Sequence, residues 1–117
     1  MTHSAAIVIF TDIANDSAAV YRALGTAQEF VQAGDDVKIV FDGSGVDSLA
    51  AMTAEDNKLH GLLESLRDQV AGACGFCAKA HKSEDAIVAA GYPLLTDNNG
   101  HASIRNLVVE GRTVLTF

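Results

Sequence analysis

Short apolar runs alternate along this chain with segments of helical spacing, and that alternation limits the folds open to it more than any other feature. Residues 5–10 (AAIVIF) are apolar throughout and bounded by the polar segment TDIAND. Such a run predicts a strand buried on both faces. Asp16 or Ser17 fits the cap of the helix that follows. Along it Val20, Ala23, Leu24, Ala27 and Val31 recur at helical spacing, and Gly34 fits the position just past its end. Residues 36–41 (DVKIVF) read as a second strand. The three pieces form a strand–helix–strand unit whose crossover is expected to be right-handed.

The same alternation continues. The loop DGSGV (42–46) leads into a weak helical stretch over 46–52, and a polar joint, TAEDNK, follows. Leu59, Leu62, Leu63, Leu66 and Val70 mark a second amphipathic helix. The small apolar segment 70–76 (VAGACGF) reads as a third strand, although its glycines weaken that reading. Residues 77–82 fit a helical turn, and Ser83 fits the cap of a short helix over 84–90 that ends at Gly91. A brief fourth strand covers 92–95, with Pro93 at its start, where proline is tolerated. After the loop TDNNGH comes a helix over 104–110 closed by Gly111, then a last strand over 113–117 (TVLTF). The prediction is an α/β fold: a three-layer α/β/α domain with a mainly parallel five-stranded sheet. With 117 residues the chain, 1–117, suits a single domain that needs no disulfide or metal to fold.

Charge narrows the function. Fifteen acidic residues against eight basic ones give a net charge of −7. Such a surface repels phosphate backbones and anionic lipids, so neither a nucleic acid nor a membrane is expected as a partner. The apolar run at 5–10 lacks the basic lead and the length of a signal peptide, and no segment is long enough to span a bilayer. A cytoplasmic location is the expectation.

In a parallel sheet, ligand sites gather at the carboxyl ends of the strands. That places TDIAND, DGSGV and GFCAKAHK together. Cys74 then falls near the end of the third strand and Cys77 near the start of the next helical turn. Two cysteines three apart in a cytoplasmic chain point to redox, sulfur or metal chemistry more readily than to a structural bridge. A helix start favours the thiolate, and Lys79, His81 and Lys82 would add positive charge, so a modestly activated Cys77 is expected. The plainer reading, a small buried hydrophobe, stays open for Cys77 and fits Cys74 better than a chemical role does. Structural zinc takes four ligands, usually as two pairs, and here one CxxC stands with His60, His81 and His101 scattered. No metal and no cofactor is therefore expected. Thioredoxin-like chains carry CxxC after the first strand, not the third, which argues against that fold. DGSG lacks the spacing of a phosphate loop and reads as a tight turn. Asp12, Asp16 and Asp42 fit the cleft or helix caps, and His101 with Ser103 fits either a general base or the start of the final helix.

The opening AIVIF, the segment AGDDVKIVFDGSGV, the stretch VAGACGFCAKAHKSEDAIVAAGYPLL and the ending GHASIRNLVVEGRTVLTF together resemble the DsrE/DsrF-like family. The resemblance spans nearly the whole chain and lies in the order and character of its segments. It implies a three-layer domain with a five-stranded parallel sheet and assembly as a homo-oligomer, a trimer or hexamer. In the family's sulfur-transfer members an active cysteine follows the third strand and begins a run of the type C-x-A-x-x-x-G. Cys77 in CAKAHKS is the match, with Ser83 near the place where glycine is usual. The small YchN-like members carry a CGxC segment, matched by Cys74, Gly75, Phe76 and Cys77. The resemblance implies a sulfur carrier or sulfurtransferase-like protein that relays persulfide sulfur between a donor and an acceptor protein through Cys77, with Cys74 either resolving the persulfide into a disulfide or taking no part. The other reading is a non-catalytic oligomeric module that binds a ligand or partner in the same cleft.

Overall fold

The structure, a computed structural model, describes residues 2–117. The uninterrupted apolar run at the start forms strand β1 (Ser4–Ile9), in which Ala5 to Ile9 are all buried. Helix α1 (Ser17–Gln32) follows; Asp16 caps it by accepting the Ala19 N–H at 3.1 Å. Val20, Ala23, Leu24 and Ala27 face inward, while Val31, at the end of the expected stripe, is 38 % exposed. Then come β2 (Asp36–Phe41), α2 (Gly45–Met52), α3 (His60–Ser65), a 3-10 turn (Arg67–Gln69) and β3 (Val70–Cys74). The chain closes with α4 (Gly75–Ala80), α5 (Glu84–Ala89), β4 (Leu94–Leu95), α6 (Ile104–Val109) and β5 (Thr113–Thr116).

The five strands form one sheet in the order β4-β3-β2-β1-β5, and every pairing is parallel. β1 lies between β2 and β5, so both its edges are paired. Alternate residues of a strand point to opposite faces. Ala5, Ile7 and Ile9 pack with inward residues of α1 to α5, among them Leu24, Leu49, Leu63, Ala78 and Ile87. Ala6 and Val8 pack on the other face with Val40, Cys74, Ala102 and Leu107, where α6 is the covering helix. The domain is a three-layer α/β/α fold with a fully parallel sheet, as the alternation of segments predicts.

Two local differences have physical causes. The leucine stripe over 59–70 predicts one long helix, yet α3 has six residues and gives way to the 3-10 turn. Val70 pairs with Ile39 in the sheet, and that pairing outweighs helical periodicity. The third strand stops at Cys74 instead of Phe76, because the Phe76 N–H turns to donate to the Gly100 carbonyl at 2.9 Å. The glycine in this strand has a use. Register between β2 and β3 shifts at Val40, which pairs with Gly72, so Ala71 is an extra residue. Gly72 takes φ 146°, and a Cβ there would lie 2.4 Å from the Pro93 carbonyl oxygen.

At the opposite, amino-terminal edge a buried Arg112 side chain ties the layers. It donates to the Ala5 carbonyl at 3.1 Å, to Asp36 at 3.2 Å and to Glu110 at 2.7 Å. Among the described residues no helix is long and apolar enough to cross a membrane.

Candidate functional site

Because all strands run the same way, the loops 10–16, 42–44 and 96–103 and the start of α4 share one edge of the sheet. Within that edge one crevice stands out. The helices after β3 cover the first face, whereas the helix after β4 covers the second. Where consecutive connections part to opposite faces, the strand ends leave a gap suited to a ligand.

Cys74 and Cys77 sit at that gap, and both are free thiols. Cys74 ends β3 and is fully buried; its Sγ accepts the Ala102 N–H at 3.4 Å and lies 3.6 Å from His101 Nδ1. Cys77 lies in the first turn of α4, half-buried, and its thiol donates to Asp42 Oδ1 at 3.6 Å. His101 arrives from the loop after β4, pinned by a short bridge with Asn98. The exposed Phe76 ring stacks on its imidazole, centroids 4.3 Å apart. The ligating atoms of Cys74, Cys77 and His101 all fall within 4.8 Å of one another. Beside them lies a cleft of about 470 Å³ lined in part by Asp42, Asp97, His101, Ser103 and Arg105. Asp97 shapes its rim by accepting the Ser103 N–H at 3.2 Å and the Asn106 side-chain N–H at 2.6 Å.

The electrostatics reverse one expectation. Burial pushes the Cys77 thiol up to about 11, helped by the Cys74 thiol and the Asp42 charge; the Gly43 backbone N–H opposes them. The expected activation by Lys79, His81 and Lys82 fails on geometry. His81 Nδ1 turns to Asp47 Oδ2 at 2.7 Å, and neither lysine is among the groups that set the thiol. Asp47 also accepts the Ser83 hydroxyl. Burial raises the Asp47 carboxyl, but its hydrogen bonds from Ser83 and His81 outweigh that, so it titrates below the usual carboxylate range.

The acidic loop residues have separate duties. Asp12 accepts the Ala14 N–H at 2.9 Å and Asp16 caps α1, so both shape the loop after β1. Ser48 fastens that loop from α2, bonding the Thr11 carbonyl and the Ile13 N–H at 2.6 Å each. Only Asp42 reaches the thiols. DGSG is a tight turn packed on β1: a Cβ on Gly45 would lie 1.9 Å from the Ile9 carbonyl oxygen. His101 is the residue whose part the sequence understated. Its signal was topological, since the loops after β3 and β4 must meet at one edge of a parallel sheet.

Neither the models of known protein families nor the curated protein sequences give a match to this chain.

Proposed function

We propose that this chain is a DsrE/DsrF-like sulfur carrier that holds sulfane sulfur on Cys77. The observation that carries this reading is the pairing of a reachable thiol with a buried one at the carboxyl edge of the sheet. Loading needs no oxidant. The Cys77 sulfur attacks the outer sulfur of a donor persulfide; the donor's S–S bond breaks as the Cys77 persulfide forms. The Cys77 proton passes to the departing donor thiolate, and Asp42, which accepts the S–H, lies on its way out. Discharge to an acceptor thiol repeats the step in reverse roles. Alternatively the Cys74 thiolate attacks Cys77 Sγ, releasing hydrosulfide and leaving a disulfide that a dithiol reductant must reopen.

The donor and acceptor are proteins in this reading, and the setting is the cytoplasm, where thiols stay reduced. A homo-oligomer, trimer or hexamer, belongs to the same proposal. Val108 and Val109 support it, 60 % and 65 % exposed on α6. One observation favours the other reading, a binding module: a thiol raised to about 11 is almost wholly protonated at neutral pH, next to a cleft roomy enough for a small ligand.

Intact-mass measurement after incubation with glutathione persulfide separates the two. The expected result is a gain of one sulfur atom, lost in Cys77→Ser and longer-lived in Cys74→Ser. No gain, or a gain that survives in Cys77→Ser, sinks the carrier reading.

A further inference from the structure

Cys74, Cys77 and His101 meet the geometric demands of a soft metal ion. In a tetrahedral zinc site, bonds of about 2.3 Å to sulfur and 2.0–2.1 Å to nitrogen set ligand atoms roughly 3.5–3.8 Å apart. Cys74 Sγ and His101 Nδ1 are 3.6 Å apart. No pair among the three ligand atoms exceeds 4.8 Å, so at most about 1 Å of closure remains. Cys77, half-buried on the first helical turn, is the ligand that would have to rotate to supply it.

The surroundings are those that hold ligands in place. The Ala102 N–H points at Cys74 Sγ, and the Phe76 ring fixes the plane of His101. Outer partners of this kind orient ligating atoms and tune their basicity. Charge agrees as well. Two thiolates and a neutral imidazole leave a divalent cation balanced, and the Asp42 carboxylate adjoins the site. Thiolate with imidazole selects zinc over the oxygen-seeking magnesium and calcium. The sequence concealed the third ligand because His101 stands 24 residues beyond Cys77, with no second pair to mark it.

We infer that Cys74, Cys77 and His101 form a three-ligand Zn2+ site whose fourth position is exchangeable and opens toward the cleft beside Asp42. Binding displaces the two thiol protons, one from each cysteine, and changes no oxidation state. The inference does not rest on sulfur carriage. A chain that binds zinc and takes up no sulfur would defeat the carrier reading alone, and the persulfide assay, run with a chelator present, is blind to zinc.

The test is a Co2+ titration of the full chain, kept reduced with a phosphine. The expected result is one equivalent bound, with thiolate-to-cobalt charge transfer and the strong visible bands of a four-coordinate ion, both bleached by Zn2+. His101→Ala should weaken binding by well over about 100-fold, beyond the roughly 10–100-fold that loss of an outer partner costs. His60→Ala and His81→Ala should change nothing. As a check that needs no variant, Zn2+ should shift the His101 ring resonances of the unaltered protein. A pale six-coordinate spectrum, unchanged affinity in a folded His101→Ala, or an unshifted His101 ring overturns the site.

Discussion

Replacing Asp42 by Asn should make Cys77 react faster, although the change adds no base. In the folded protein the thiol is moved from an ordinary value of 9.0 to about 11, by burial first and by the Asp42 charge among lesser causes. Two units cut the thiolate population at pH 7 about 100-fold. Each remaining thiolate is the stronger nucleophile; a Brønsted slope of about 0.4–0.5 returns roughly 6–10-fold. The native Cys77 should therefore be alkylated roughly 10–15 times more slowly than the same thiol in the unfolded chain. Asn keeps a side-chain oxygen near Cys77 Sγ but removes the charge, and because burial outranks that charge the recovery should be partial, about two- to threefold. Iodoacetamide labelling, read cysteine by cysteine from peptide masses between pH 7 and about 10, checks this. Native Cys77 should gain about tenfold in rate per pH unit across that range and outpace the fully buried Cys74 throughout. The shift also carries a sign for stability. The unfolded thiol loses its proton first, so stability falls as pH rises from 9.0 toward about 11. A native rate that levels off below about pH 9, or an Asp42→Asn variant that labels more slowly, would refute the reasoning.

Two further outcomes test the frame around the site. Gly45→Ala forces a Cβ to within 1.9 Å of the Ile9 carbonyl oxygen and should cost about 3 kcal/mol or more in chemical denaturation. Gly25→Ala in α1, where a Cβ meets nothing within 4 Å, should instead stabilise by about 0.5–1 kcal/mol; equal effects of the two would mean that the turn after β2 is not so closely packed. Light scattering at micromolar concentration should return a trimer or hexamer, and a particle of 12.2 kDa would exclude the proposed assembly.

The parts of the fold that sequence revealed are those whose signal is local. β1, β2 and α1 were legible because each carries its own apolar run or stripe, and an Asp or Gly closes β1 and marks both ends of α1 and β2. Where a distant partner decides, local pattern is ambiguous: Val70 both closes the leucine stripe and opens the segment read as the third strand, and pairing with Ile39 settles it in the sheet. Arg112 shows the same limit from the other side. Nothing around it in sequence hints that its side chain is buried and bonded to Ala5 and Asp36.

The candidate site divides along that line too. That Cys74 and Cys77 lie at a strand end follows from segment order alone, since a parallel sheet puts every carboxyl end on one edge. Which charges surround the thiol does not follow, because neighbours in sequence are not neighbours in space. Lys79, His81 and Lys82 flank Cys77 along the chain, but the first turn of α4 points it toward Asp42 and Cys74 instead. His81, just past the last turn of α4, turns instead to Asp47 on α2 and ties the two helices together. A thiol so placed is guarded and not primed: burial suppresses stray alkylation and oxidation at neutral pH, and reaction waits for whatever takes the proton or replaces it. A persulfide donor does the first and a zinc ion the second. The two proposed uses would therefore compete for one pair of sulfurs, and if both hold, bound Zn2+ should protect Cys77 from persulfide loading in proportion to its occupancy.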